Sequence, residues 1–290
     1  MADTVLALDI GGTKMLAALV RGNKVVETHK MPTPCGSDPE QWMTALFDAI
    51  SGWKGRYDTA GIAVSGIIDD GCWSPLNRKT LDIPDRFPLV ATVKRLADTE
   101  AVLAANDAQA AAWGEFSCGA GQREDLVFLT ISTGIGGGIV VNGRLLGGLA
   151  GHFGLLCSLD ENAGVLEDHV SGNWIAAQAV PHQAGATARE VFEAAAADHA
   201  WALDIIKASV SQTALLCRNI QLMLDPARIV IGGGIGLAPG YLESVRQALG
   251  SLPPRLTPQL HAAALGENAG VVGIADLAKT SELTWRENTT

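Results

Sequence analysis

Three short glycine clusters, each directly behind an apolar, β-branched run, limit what this chain can fold into. The first is Leu8-Asp9-Ile10-Gly11-Gly12-Thr13-Lys14. The second runs from Ile131 through Ser132, Thr133, Gly134, Ile135, Gly136 and Gly137 to Gly138, and the third spans Ile229 to Gly236. Each cluster stands where a strand ends and where a backbone without side chains admits a ligand closely. Between the first two sits an isolated pair, Asn106-Asp107, at the head of an alanine-rich stretch. Three such turns and one carboxylate are the parts needed to hold a nucleotide and to take a proton from a hydroxyl. The pattern implies a small-molecule kinase.

The apolar periodicity predicts strands over 5–10, 15–20 and 24–30. That opening is a strand, tight turn and strand, not the strand–loop–helix of a P-loop, and no G-x-x-x-x-G-K-[ST] occurs. A helix is expected over 38–53, with Asp38 as N-cap and Pro39 at its first position. Strands follow at 59–65 and 101–105, with an amphipathic segment at 89–96 between them and Pro75, Pro84 and Pro88 marking an irregular connection. From Asn106 a helix is expected through Phe116. The layout then restarts with a strand over 126–133, a glycine turn over 134–138 and a strand over 139–142. The two units lie about 120 residues apart, which suggests two related lobes. Residues 187–224 read as largely helical, 228–231 as a strand and 241–249 as a helix, and the polar tail after Lys279 is expected to fray. Alternating strands and helices give an α/β class. We expect lobes over 1–105 and 106–269, with a helix at 270–279 rejoining the first.

Bulk properties narrow the functional classes. The chain has 290 residues, 48% of them hydrophobic and 18% charged. No run of about 18 apolar residues occurs, so no transmembrane helix is expected. The opening Met-Ala-Asp lacks a signal-type segment. Cys35, Cys72, Cys118, Cys157 and Cys217 are odd in number and scattered, as reduced thiols of a cytoplasmic protein are. A net charge of −10 leaves no excess of cations to neutralise nucleic-acid phosphates.

The ordered set D-I-G-G-T-K, N-D, S-T-G-I-G-G-G, G-G-L-A-G-H and G-G-G-I-G resembles the ROK sugar-kinase family, within the two-lobed actin/hexokinase superfamily with its ribonuclease-H-like lobes around a central cleft. The likeness runs over nearly the whole chain, residues 4–278. Within the family, S-G-I-I-D-D-G, N-D-A-Q-A-A-A-W-G-E-F and G-G-L-A-G-H-F-G are similar to the bacterial N-acetylmannosamine kinases. The resemblance implies ATP and Mg²⁺ as the phosphoryl source, a homodimer, and phosphorylation of N-acetylmannosamine at its 6-hydroxyl in sialic-acid breakdown. Another hexose kinase is the rival within the class. A sugar-sensing regulator is the rival outside it, opposed by the acidic charge and by the few residues before Asp9.

By the same resemblance, Asp107 is the catalytic base and Asp9 stands near Mg²⁺ and the phosphates. Gly11, Gly12, Thr13 and Lys14 form one phosphate hairpin; Ser132, Thr133, Gly134, Gly136 and Gly137 form the other. Gly233, Gly234 and Ile235 line the adenosine pocket, and Gly66, Asn77, Asn106, His152 and Glu167 hold the sugar. The residues themselves allow plainer roles. Asp107 reads as a helix cap, Lys14 as a solvated strand residue, and Asn77 and Glu167 as surface polar groups. Asp9 is harder to set aside, because an acid inside Leu-Ala-Leu-Asp-Ile is costly to bury without a cation or donor.

Two departures from the family pattern stand out. Leu155 occupies the place of a usual zinc-ligating His, and Cys157 is the one nearby thiol. A single Cys cannot build a closed four-ligand site, so no structural zinc is expected, and packing of Leu155, Leu156 and Leu159 is expected to hold the loop. His152 replaces a sugar-contacting Glu of many family members, which points to a 2-acetamido sugar.

Overall fold

The computed structural model describes residues 4–34, 36, 38–76, 78, 81–157 and 164–280. Strands β1 (Thr4–Ile10), β2 (Lys14–Arg21) and β3 (Lys24–Pro32) open the fold as a meander. They are followed by helix α1 (Pro39–Ala49), strand β4 (Thr59–Val64), the ribbon of β5 (Ile67–Asp69) and β6 (Cys72–Ser74), helix α2 (Leu89–Ala97) and strand β7 (Ala101–Asn106). The sheet order is β3-β2-β1-β4-β7, antiparallel across the meander and parallel from β1 to β4 to β7. Val5 to Leu8 and Ile10 are at most 1% exposed, which is why β1 reads as a continuous apolar run: a parallel neighbour and covered faces need apolar residues on both sides. Asp38 caps α1, accepting from the N–H groups of Glu40 and Gln41, ahead of Pro39. The helix closes at Ala49, and a separate 3₁₀ turn, Ser51–Trp53, completes the expected helical stretch.

Helix α3 (Asp107–Cys118) leads into β8 (Leu126–Ile131), β9 (Ile135–Val141) and β10 (Arg144–Leu145). Helices α4 (Glu167–Val170), α5 (Gly172–Ala179), α6 (Ala188–Ala196) and α7 (Ala200–Leu224) precede β11 (Arg228–Gly232), α8 (Gly233–Gly236), α9 (Tyr241–Leu249), β12 (Leu260–Ala262) and α10 (Ala269–Thr280). The second sheet runs β10-β9-β8-β11-β12. It repeats the logic of the first, with an antiparallel glycine hairpin whose first strand has a parallel neighbour, β11. The fold is therefore two mixed α/β lobes, each on a five-stranded sheet.

Two sequence expectations change. The stretch 187–224 is two helices, parted where Asp198 takes a left-handed φ of 60°. The glycine turn expected over 134–138 is shorter, because β9 already begins at Ile135. Gly136 and Gly138 lie in that strand under α3. An added Cβ would stand 3.0 Å from the Ala108 methyl at Gly136 and 2.5 Å from the Ala112 methyl at Gly138. Glycine serves helix-on-sheet packing there, and the turn itself narrows to Ser132–Gly134. The tail from 281 lies outside the described residues.

Helices α3 and α10 sit between the sheets. Trp113, Phe116, Val271, Ile274 and Leu277 join side chains of both sheets in one apolar cluster. The helices cross at backbone contact. A Cβ on Gly273 would overlap the Ala110 carbonyl, and one on Gly114 would lie 2.5 Å from the Ala269 carbonyl oxygen. Glu115, fully buried, accepts from the N–H groups of Ala120, Ala264 and Leu265, tying the approach to α10 onto α3.

Candidate active site

Strand β7 delivers Asn106 and Asp107 at the point where α3 begins, and the two residues divide the work. The Asn106 side-chain oxygen caps the helix, accepting from Ala108 N–H at 3.0 Å and Gln109 N–H at 3.2 Å, while its Nδ2 donates to the Gly66 carbonyl at 3.0 Å. The cap role that a sequence reading could assign to Asp107 thus belongs to Asn106. One Asn106 amide hydrogen remains for a ligand hydroxyl. Half-buried Asp107 accepts from Ser65 Oγ–H at 2.6 Å on Oδ2 and from Ala108 N–H at 2.8 Å on Oδ1.

Asp9, near the end of β1, pairs in register with Leu16 and Ala63. Its carboxylate lies against the first turn of α10, 3.2 Å from where a Cβ on Gly270 would stand. Burial pushes its pKa up to about 7; the Asp107 charge adds to the rise and Lys14 opposes it. Among the described residues no hydrogen bond reaches this carboxylate. A buried acid beside a second acid, lacking its own donor, is the setting a divalent cation completes.

Each glycine turn is braced by backbone hydrogen bonds. In the first, Gly11 N–H donates to Lys14 O at 3.0 Å, and Thr33 braces the turn from outside. Thr33 N–H reaches Thr13 O at 3.1 Å and its hydroxyl reaches Gly11 O at 2.6 Å. With those carbonyls engaged, the exposed amides of Gly12 and Thr13 are left for an anion. Lys14 is exposed, and its charge acts on both Asp9 and Glu267, the latter in an ion pair with Lys30 at 2.9 Å. The second turn is held the same way. Gly172 N–H donates to Ser132 O at 2.7 Å and Asn173 N–H to Thr133 O at 3.1 Å. Gly136 and Gly137 lie just beyond it in β9, half-buried and buried.

Behind the second turn opens a cavity of 1160 Å³, lined by Ser132, Thr133, Gly234, Ile235, Phe192 and Tyr241 among others. Gly233, next to the lining residue Gly234, takes φ 84° and is pressed on the Ile131 carbonyl so closely that a Cβ has no room. One wall of the cavity is thus a turn able to hold phosphate, and the rest is largely apolar, as a nucleoside needs.

The residues that the family resemblance assigns to the sugar are held by contacts that the sequence did not reveal. Gly66 takes φ 131°, and a Cβ there would stand 2.5 Å from Ser74 O and 2.8 Å from Trp73 Nε1. Gln109 Nε2 donates to Gly148 O at 3.0 Å and Ala150 O at 2.9 Å, fixing the loop that carries His152 onto α3 beside Asp107. His152 Nδ1 is 3.3 Å from Leu149 O, while Nε2 is enclosed with no partner among the described residues. A proton on Nδ1 satisfies Leu149 and leaves Nε2 as a lone-pair acceptor. Glu167 accepts from Ile135 N–H at 2.8 Å and fills the space a Gly134 side chain would need. Asn77 lies outside the described residues. Ser65, Thr33 and Gln109 were missed in the sequence. Only Gln109 carried a local signal, its place inside N-D-A-Q.

The model of the ROK family matches residues 5–281. The chain belongs to the ROK family. Two relatives and one solved structure extend that likeness. A bifunctional enzyme NanE/NanK of Brucella melitensis is 46% identical over 285 residues, 96% of this chain and 54% of that protein, so the chain spans about half the length of that relative. An N-acetylmannosamine kinase of Shigella flexneri is 39% identical over 292 residues, 97% of this chain and 100% of that one. A ROK family glucokinase from Streptomyces griseus, solved with glucose and AMPPNP, superposes with a TM-score of 0.79 at 28% identity, covering 96% of this chain and 99% of that chain.

This ROK chain holds its shortened loop differently from the sequence expectation. Leu155 and Leu156 are 51% and 49% exposed, so they do not pack the loop shut, and Leu159 lies outside the described residues. The backbone closes it instead, through Leu166 N–H to Leu156 O at 2.9 Å and a bridge between Cys157 and Val165. Among the described residues no group of three or more His, Cys, Asp or Glu side chains is placed to hold a metal. No helix among them is long and apolar enough to cross a membrane.

Proposed function

We propose that this ROK protein transfers the γ-phosphoryl group of ATP to the 6-hydroxyl of N-acetylmannosamine, in the cytoplasm and as a step of sialic-acid breakdown. The observation that carries the reading is Asp107: relieved of capping by Asn106, oriented by Ser65, and set close enough to Asp9 for its charge to act there. A sugar hydroxyl is a weak nucleophile at neutral pH. Asp107 takes its proton as the oxygen attacks the γ-phosphorus, and ADP leaves with the bridging oxygen's electrons. Gly11 shapes the first turn; the amides of Gly12, Thr13 and Thr133, the hydroxyls of Thr13, Ser132 and Thr133, and the charge of Lys14 receive the phosphates, while Gly233, Gly234 and Ile235 seat the adenosine. Asp9 would hold the Mg²⁺ that arrives with ATP, whose charge would offset that of the phosphates.

The substrate assignment rests on the likeness to N-acetylmannosamine kinases and on His152, whose Nε2 lone pair suits a sugar hydroxyl donor. Gly66, Asn77, Asn106 and Glu167 complete that side. The lobes divide at 105/106, with 270–279 returning to the first, and close over the sugar to exclude water. The protein works as a homodimer without zinc, since Cys157 stands alone in its loop. Coupled ADP release with Mg-ATP against N-acetylmannosamine, N-acetylglucosamine, glucose, mannose and fructose tests the reading. It predicts clear preference for N-acetylmannosamine. Preference for another hexose overturns the substrate, and no turnover with any overturns the activity.

A further inference from the structure

The backbone around Ser65 is clamped from several sides. Its N–H donates to Ile10 O at 3.3 Å and its carbonyl accepts from the indole N–H of Trp73 at 2.9 Å, a side chain fully shut off from solvent. The next carbonyl, of Gly66, accepts from Asn106 Nδ2. Two of these contacts come from residues beside the phosphate turn and the base, Ile10 at the end of β1 and Asn106 before Asp107, and the third from the β6 ribbon strand. The Ser65 hydroxyl is therefore placed by the fold and not by a flexible loop, and its hydrogen goes to Asp107 Oδ2 at 2.6 Å.

That placement matters because of the carboxylate's own mechanics. The terminal torsion of an Asp side chain is broad and lacks a staggered well that would fix the carboxylate plane. Only outside contacts can set it. Ala108 N–H holds Oδ1 and the Ser65 hydroxyl holds Oδ2, so the plane is defined by one contact from the base's own helix and one from the residue after the neighbouring strand β4. A general base gains rate only when a lone pair is aimed at the departing proton.

We propose that Ser65 is a positioning residue for phosphoryl transfer, fixing the plane of the Asp107 carboxylate toward the sugar hydroxyl; this rests on the reading of Asp107 as the base. A plainer role is that the hydroxyl merely satisfies a half-buried acid. The two roles part experimentally, since the plainer one affects stability and leaves the rate of a folded enzyme intact.

Wild type, Ser65→Ala, Ser65→Thr and Asp107→Asn are compared for kcat, for KM of both substrates and for melting temperature. Ser65→Ala should lower kcat about 10- to 100-fold, the range of one hydrogen bond to a charged group, with either KM changed less than about threefold. Ser65→Thr, which keeps the hydroxyl, should recover most of that rate. A kcat within about twofold of wild type for Ser65→Ala, or a loss that Ser65→Thr shares while remaining folded, overturns the proposal. If Ser65→Ala fails to fold, Ser65→Cys, of similar size with a weak donor, replaces it under the same criteria. Asp107→Asn separates the two claims. Should it stay active, the base assignment fails whatever Ser65 does; should it be inactive beside a fully active Ser65→Ala, the Ser65 proposal alone fails.

Discussion

A carboxylate in this site is governed by what surrounds it, and the two acids of the cleft have opposite surroundings. Asp107 has a donor on each oxygen. Replacing it by Asn keeps the shape and removes the proton acceptor, so turnover should fall by at least about 10² to 10⁴-fold while the melting temperature and nucleotide binding stay near wild type. Asp9 has no such donors among the described residues, and its pKa rises from 3.8 to about 7, first by burial. The folded protein therefore binds that proton more tightly than the unfolded chain does. The stability Asp9 contributes is fully present below about pH 4 and is lost as pH rises through about 7. Asp9→Asn should accordingly raise the melting temperature of the ligand-free protein more at pH 8 than at pH 5, and should abolish useful turnover. Equal shifts at both pH values, measured by thermal denaturation, would contradict the burial argument.

At the scale of elements, the decisive contact is the crossing of α3 and α10, where Gly114 and Gly273 let backbones touch. Ala at position 273 meets the Ala110 carbonyl, so Gly273→Ala should destabilise by about 1–3 kcal/mol or more, read as a lower denaturant midpoint. Glu115→Gln removes an acceptor from three backbone donors and should cost about 1–3 kcal/mol. Neither requirement shows in sequence, because a glycine inside a helix gives the same local signal whatever crosses it. The same ambiguity explains why Gly136–Gly138 read as a turn: local pattern marks freedom of the backbone, and only the docking of α3 turns that freedom into close packing. The opening meander of three strands and the Asp38 cap were legible because their causes are local. The roles of Ser65 and Thr33 were not. Ser65 and Asp107 are 42 residues apart in sequence, and nothing near either position hints at their bond.

For the molecule as a whole, the repeated hairpin is the organising fact. Each sheet presents a glycine turn at the end of its first strand beside a parallel neighbour, and in the proposed reaction both turns receive the same nucleotide. Sugar and nucleotide together should then draw the lobes inward. Small-angle scattering should record a smaller radius of gyration with both ligands than with neither, and an unchanged radius would refute closure. Elemental analysis of the purified protein should find no stoichiometric zinc, since the loop around Cys157 is closed by backbone contacts; one atom per chain would refute that account. The central claim is a specific bond, from the γ-phosphorus to the 6-oxygen of N-acetylmannosamine. Proton-coupled phosphorus NMR of the product formed from N-acetylmannosamine and Mg-ATP tests it most directly. Wild type should form a phosphate ester coupled to the pair of C6 protons, and Asp107→Asn should not. A phosphate coupled to a ring C–H, or no ester at all, would contradict it.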